Sequence, residues 1–238
     1  MRQFDVIVWG SKFDEPGFTP TPPFTDAALG WFFGNDVNEG LEKSDAEWIV
    51  ISHESMNIDR DFLNDLAQAI SGFPMVDAFA PRVHCGESFK GASILDSKTG
   101  FKQIPDHAPL RFVAAPCPEI VAFSRRIIQR TGRIDTDLPL TEAIADYSLR
   151  MLHAGGKMFS IPYLVARQGE PAPLEQDENA LLVSLFKSLG FWKSFKFMVR
   201  HPAATRNLIK NRKKIIEKRD SAILLSKLRP NFLKEISK

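Results

Sequence analysis

Residues 46–63 read AEWIVISHESMNIDRDFL, and this stretch decides the fold. Trp48-Ile49-Val50-Ile51 is apolar on both alternating faces, the pattern of a short strand covered on both sides. It stops at a polar cluster, Ser52-His53-Glu54-Ser55. Asn57 or Asp59 then offers a side-chain cap to a helix that carries Phe62, Leu63, Leu66 and Ile70 on one face. A strand followed directly by a helix is the unit of an α/β sheet. Such sheets collect ligands outside the carboxyl ends of their strands, so His53 and Glu54 stand where a site is expected. The plain alternative is a polar turn that only caps the following helix.

Working outward, Phe4 to Val8 (FDVIV) reads as a second buried strand, ending at Trp9-Gly10-Ser11. Residues 12–26 carry four prolines and read as a loop, because proline removes a backbone donor and disfavours helix in the residue before it. A loop of that length suggests a functional flap. A short loop and a helix over about Asn35–Lys43 lead back into the strand at 47–51. Downstream, Val76–Val83 is a strand candidate, and 85–110 reads as a hairpin or loop excursion. Ser124 caps a helix running to Thr131. Thr141 caps a helix over Glu142–His153, which Gly155-Gly156 stops. Phe159–Val165 reads as an edge or bulged strand, since it contains Pro162.

The 238 residues allow one large domain or a domain with an appendage, and a composition of 44% hydrophobic and 25% charged residues is that of a globular chain. Nineteen Phe imply an aromatic-rich core. Two cysteines, Cys85 and Cys117, suggest no disulfide framework and fit a reducing compartment. No signal peptide is evident, and no apolar run reaches the length that spans a bilayer. The expected location is cytoplasmic, or peripheral on the inner face of a membrane. Charge is divided unevenly. Residues 183–238 hold 15 Lys or Arg against 3 Asp or Glu, whereas the preceding residues hold 16 against 26. This suggests a domain over 1–170, a Pro/Glu linker over 171–178 and a basic amphipathic helical extension over 179–238.

The order of elements from Phe4 to about Arg167 resembles the family-two inverting nucleotide-sugar glycosyltransferases, which have the GT-A fold. Four stretches carry the likeness. FDVIVWGS (4–11) is similar to that family's second strand. GNDVNEGLEKSDAEWIVISHES (34–55) is similar to its passage into the acidic metal motif, and NIDRDFLNDLAQAI (57–70) to the helix after it. GRIDTDLPLTEAIADYSLRMLHAGGKMFSIP (132–162) is similar to its late catalytic helix, with Leu-Arg, Ala-Gly and Pro in the family's order. The resemblance implies a Rossmann-like, mixed and mostly parallel sheet flanked by helices. The family opens with a further strand and helix ahead of the one matched to FDVIV. Either Phe4–Val8 is that first strand, with the next unit compressed into the proline-rich loop, or the chain is shortened at its N-terminal side.

The resemblance also assigns residues. Ser52, His53, Glu54, Gly10 and Ser11 would face the donor, with Arg150 and Arg167 offsetting its phosphate charge. Glu54, with His53 as a substitute ligand, would face a divalent cation, Mn or Mg. Asp146 or Glu142 would remove the proton of the acceptor hydroxyl. Several positions depart from the family pattern. Its Glu-Asp pair aligns with Ala143 and Ile144, its nucleotide-holding acid with Val8, and its late histidine with Arg167. The plain alternatives are an i,i+4 ion pair between Asp146 and Arg150 and a helix-dipole role for Glu142. His84-Cys85 lacks a second ligand pair, and Cys117 between prolines reads as a packed thiol.

The implied function is transfer of a sugar from a nucleotide-sugar donor to a glycan or lipid-linked hydroxyl acceptor, in bacterial cell-surface polysaccharide or lipopolysaccharide synthesis. The alternative is a non-catalytic protein of the same fold that binds glycan or scaffolds a transferase at the membrane. In the tail, Phe191, Trp192, Phe195, Phe197 and Met198 interleave with Lys193, Lys196 and Arg200. That pattern suits an anionic membrane surface engaged through residues 187–219. It also suits a helical subdomain packed on the main domain. No nucleic-acid-binding module is recognised.

Overall fold

The computed structural model describes residues 2–15, 17–96, 100–169, 178–189, 198–199, 202–210 and 215. The apolar run at 48–51 forms the middle of β3 (Trp48–His53), which is buried along its whole length. Its alternation sets the layers. Ile49 and Ile51 face one core, while Trp48 and Val50 face another on the opposite side of the sheet. The same rule places Ile7 and Trp9 of β1 (Phe4–Trp9) in the first core and Phe4 and Val6 in the second. A register slip of one residue would exchange every one of these side chains, so the pairing is fixed by burial.

β1 pairs in parallel with β3 on one side and with β2 (Leu29–Gly34) on the other. β11 (Ile120–Ser124) runs antiparallel to β3. The large sheet is completed by β5 (Ala78–Phe79), β12 (Met158–Ser160) and β10 (Arg111–Phe112), in the order β10-β12-β5-β11-β3-β1-β2. A four-stranded sheet contains β4 (Met56–Asn57), β13 (Val165–Gln168), β6 (Arg82–Cys85) and β7 (Ser88–Lys90), in that order, and β8 (Ser93–Asp96) pairs with β9 (Gly100–Gln103) as a hairpin. The second core is closed by α2 (Arg60–Gly72), whose Phe62, Leu63 and Leu66 are buried. The first core is closed by α1 (Val37–Lys43), α3 (Arg125–Thr131), α4 (Leu140–His153), α5 (Glu178–Leu189) and α6 (Pro202–Lys210).

Local chemistry fixes the joints. Asp59 caps α2 by accepting the Phe62 N–H at 2.8 Å, and Ser124 caps α3 through Ile127 N–H at 3.4 Å. Asp5 is fully buried in β1. It accepts from Ser44 Oγ at 2.6 Å and from the Asp45 and Ala46 amides at 3.1 and 3.2 Å, which ties the end of α1 to the start of β3. α1 lies so close to the sheet that a Cβ on Gly40 would press into Ile7 at 2.8 Å.

Four expectations are corrected. Residues 29–34 form β2, where the sequence suggests a short loop. The strand expected over 76–83 is broken at Pro81, so β5 and β6 belong to different sheets. The strand expected over 159–165 likewise divides, because a turn at Pro162-Tyr163 sends β12 into the large sheet and β13 into the small one. Helix α4 starts at Leu140, with Pro139 rather than Thr141 in the cap position.

The basic C-terminal stretch is packed where it is described. Leu181, Leu182, Leu185 and Phe186 of α5 join the core shared with α4, and Met198, Leu208 and Ile215 are buried with them. Lys187 is 3% exposed. Phe191, Trp192, Phe195 and Phe197 lie outside the described residues, as do 171–177 of the expected linker. Among the described residues, no helix is long and apolar enough to cross a membrane.

Candidate functional site

The strand order turns back on itself between β1 and β3. From β1 the chain moves outward to β2, then returns to the other side of β1 to form β3. That reversal is the topological switch point at which open α/β sheets hold ligands. Here the crevice lies between Trp9-Gly10 at the end of β1 and His53-Glu54 at the end of β3, which face each other in register.

Glu54 is locked into this crevice. Its amide donates to Trp9 O at 2.8 Å. Its Oε2 accepts the Lys12 N–H at 3.1 Å, which anchors the 3-10 turn Ser11–Asp14 that follows β1. The carboxylate lies directly against Gly10, and a side chain at that position would push it aside. His53 is buried. Its Nδ1 meets the Ser55 amide at 3.1 Å and the Ser55 hydroxyl at 2.7 Å, which puts the ring proton on Nε2. Its ring lies edge-on to Trp9, with centroids 4.5 Å apart. Burial pushes the His53 pKa below its ordinary value; Glu54 and Glu119 oppose the shift, and Lys12 and Lys90 add to it. Ser52 is fully buried and donates its hydroxyl to His53 O at 3.2 Å.

Two clefts flank this point, the smaller against the first core and the larger against the second. The smaller, about 280 Å³, is lined by Trp9, Gly10, Asn35, Val37, Leu140 and Ala143, among others. The larger, about 470 Å³, lies under the proline-rich crossover from β1 to β2. It is lined by Lys12, Phe13, Phe18, Trp31, Phe33, Glu54, Asn57 and Asp59, with prolines 20 and 23 on its rim. Glu54 thus touches the crevice with one side and the larger cleft with the other.

The remaining residues suggested by the sequence are dispersed. Asp146 is fully buried, with Oδ2 2.9 Å from Arg150 Nε and Oδ1 2.9 Å from Lys187 Nζ. Lys187 also pairs with Asp135 at 3.0 Å. Arg150 spends its other nitrogens on Thr131 O and Arg133 O, at 3.1 and 3.0 Å. Glu142 is 1% exposed and sits where α5 crosses α4, its carbonyl accepting from Ser184 Oγ at 3.3 Å. Asp146, Glu142 and Arg150 therefore hold the helix layer together. A general base must reach the proton it removes, and a carboxylate sealed between two cations inside that layer does not. Arg167 is exposed on β13, opposite Asn57 of the larger cleft.

For a metal, the donor set is thin. Glu54 already accepts the Lys12 amide, and the acceptor nitrogen of His53 is taken by Ser55. No group of three His, Cys, Asp or Glu able to hold an ion occurs among the described residues. These residues do not fit a metal centre built by the protein alone.

Other groups at the site carry no motif. Glu119, beside His53, is 1% exposed, is ion-paired with Lys90 and accepts from Cys117 Sγ at 2.6 Å. Burial, then the Glu119 charge, raises the Cys117 thiol well above its ordinary pKa, so it is a packed thiol and not a nucleophile. The aromatic lining of the larger cleft was signalled only by the proline-rich loop and by Trp31 and Phe33 in alternation.

The sequence matches no protein-family model and no curated protein. Solved structures are similar in three dimensions. GalNAc-T7 with UDP, GalNAc and Mn²⁺ superposes with a TM-score of 0.60 at 14% identity, covering 92% of this chain and 54% of that one. The chain thus spans about half the length of that neighbour. The mannosyltransferase PcManGT from Pyrobaculum calidifontis, in complex with GDP-Man and Mn²⁺, has a TM-score of 0.44 at 14% identity, covering 95% of this chain and 76% of that one. A197 from STIV has a TM-score of 0.42 at 9% identity, covering 74% of this chain and 98% of that one. The mixed sheet, its helical layers and the match to GalNAc-T7 make this the GT-A fold of glycosyltransferases.

Proposed function

We propose that this chain is a glycosyltransferase that moves a sugar from a nucleotide donor to an acceptor hydroxyl. The observation that carries the proposal is Glu54. It is a partly exposed carboxylate at the switch point of a GT-A sheet, held by the Lys12 amide and open to the larger cleft. The donor would lie in the crevice over Gly10 and Ser11, with Lys12, Lys90 and Arg167 offsetting phosphate charge. Glu54 would take the proton of the acceptor hydroxyl. The acceptor oxygen would then bond to the anomeric carbon as its bond to phosphate breaks, the nucleoside diphosphate leaving with the electron pair. Attack opposite the leaving group inverts that carbon. No step is assigned to a metal.

The wider setting we infer is bacterial cell-surface polysaccharide or lipopolysaccharide assembly on a glycan or lipid-linked acceptor. The basic C-terminal stretch would hold the protein peripherally on an anionic membrane. A second reading is supported by a separate observation. Glu142 and Asp146 are sealed in the helix layer, and Ala143 lines the smaller cleft where the family has an acid. A non-catalytic protein that binds glycan or scaffolds a transferase would have this arrangement.

The test is calorimetric binding and donor turnover across nucleotide-sugars, with and without Mn²⁺ or Mg²⁺, for wild type and Glu54→Gln. The transferase reading expects one donor to bind and turnover to fall by about 10²-fold or more in the variant. Binding without turnover favours the second reading. A folded protein that binds no nucleotide-sugar overturns the first.

A further inference from the structure

We infer that the cleft beneath the proline-rich crossover is a carbohydrate subsite for a neutral or amino-sugar pyranose, and that it seats the acceptor glycan. The second half of this statement rests on the transferase reading; the first does not. Three observations carry it.

The wall is aromatic. Trp31 and Phe33 project from the same side of β2 with their rings 10° from parallel and centroids 6.1 Å apart. Phe13 lies 5.8 Å from Phe33, and Phe18 lies 5.7 Å from Phe13 at the rim, 44% exposed. The apolar C–H face of a pyranose packs on such rings, while its hydroxyls need polar partners at its edge.

Those partners are present on the opposite side. Glu54, Asn57 and Asp59 all come from the segment between β3 and α2 and line the same cleft. Carboxylates accept hydroxyl protons and an amide both donates and accepts, so this edge can bond vicinal hydroxyls. The two lining carboxylates outnumber the one lining cation, Lys12. That balance disfavours phosphate, sulfate or uronate in the cleft and suits a neutral ring or one bearing an ammonium. The same balance disfavours a nucleoside diphosphate in this cleft.

The roof is held in place. Phe24 of the crossover packs edge-on against Trp31, centroids 5.6 Å apart, and the Arg60 guanidinium lies 5.3 Å over the Phe24 ring. The cleft is therefore bounded by chain anchored at Phe13 and at Phe24. Its volume of about 470 Å³ falls among small-molecule sites. Glu54 stands at the junction of this cleft with the crevice, so a hydroxyl of the seated ring would reach the carboxylate that faces the donor.

The experiment is saturation-transfer NMR with tryptophan fluorescence on the full chain. The probes are oligosaccharides of glucose, galactose, mannose, N-acetylglucosamine and glucosamine, with a uronic-acid oligomer as the charged control. At least one neutral or amino-sugar probe should bind in preference to the uronate. Its affinity should fall about tenfold in Phe33→Ala. Phe18→Ala, at an exposed rim position, should also weaken binding while keeping the fold, as checked by circular dichroism. Binding unchanged in both variants, binding displaced by UDP or GDP alone, or no binding by any neutral or amino-sugar probe would each overturn the proposal. Nucleotide-sugar binding measured on the same wild-type sample reads the transferase proposal separately. Glycan binding without it keeps the subsite and removes the acceptor role.

Discussion

At the scale of single residues, His53 and Glu54 show how far a sequence position differs from a role. Both were legible as site candidates, because a buried strand ending in polar residues marks the carboxyl edge of a sheet. Their chemistry was not legible. Whether His53 binds an ion depends on Ser55 and Gln168, and Gln168 meets the Ser55 hydroxyl at 3.1 Å from a strand more than a hundred residues away. The buried ring has one consequence for pH. Its pKa is lowered in the fold, so the unfolded chain binds the proton more readily over the window below the unfolded value of about 6.5. The neutral ring's contribution to stability is complete above that value and is lost as pH falls through the folded pKa. Urea midpoints should therefore drop from pH 7 toward the carboxylate range, with a slope of at most about 1.4 kcal/mol per pH unit from this one group. In His53→Gln that part of the slope should vanish. An identical profile in the variant would mean the ring is not desolvated.

At the scale of elements, the sequence reads β3 and α2 correctly and misses β2. The reason is local. Trp48-Ile49-Val50-Ile51 is apolar on both faces, whereas LGWFFG sits at the sheet edge between a turn and α1, half-buried, with its two glycines at strand positions. The late helix was visible through its periodicity, but the partners of its carboxylates were not. Asp146 is held by Lys187 of α5, 41 positions downstream, and no local pattern reports such a partner. Asp146 keeps Arg150 when Lys187 is lost, so the cost falls short of a buried pair broken outright and is about 1–3 kcal/mol for the buried polar atoms that lose a partner. Lys187→Met should therefore lower stability by roughly that amount while leaving nucleotide-sugar binding unchanged. A variant that is as stable as wild type but has lost donor turnover would return Asp146 to the catalytic site.

At the scale of the whole molecule, charge and composition suggest two parts where packing joins them. The acidic majority and the basic tail read as a domain with an extension. Yet Leu182 and Leu185 of α5 are buried in the same core as Ile144 and Tyr147 of α4, and the Asp135–Lys187–Asp146 contacts fasten that seam. Composition reports how a segment is solvated on its outer side. It does not report which apolar face is covered. We therefore propose that residues through α5 fold as one cooperative unit. Urea unfolding should show one transition, coincident by far-UV circular dichroism and tryptophan fluorescence. A chain ending at residue 177 should lose that transition and bind a dye for exposed apolar surface, because the face of α4 that packs on α5 would be uncovered. Two separated transitions in the full chain, or a truncated chain that unfolds as sharply as the whole, would show instead that the helical stretch is an independent appendage. The seam at Lys187 would then be a docking contact and not part of the core.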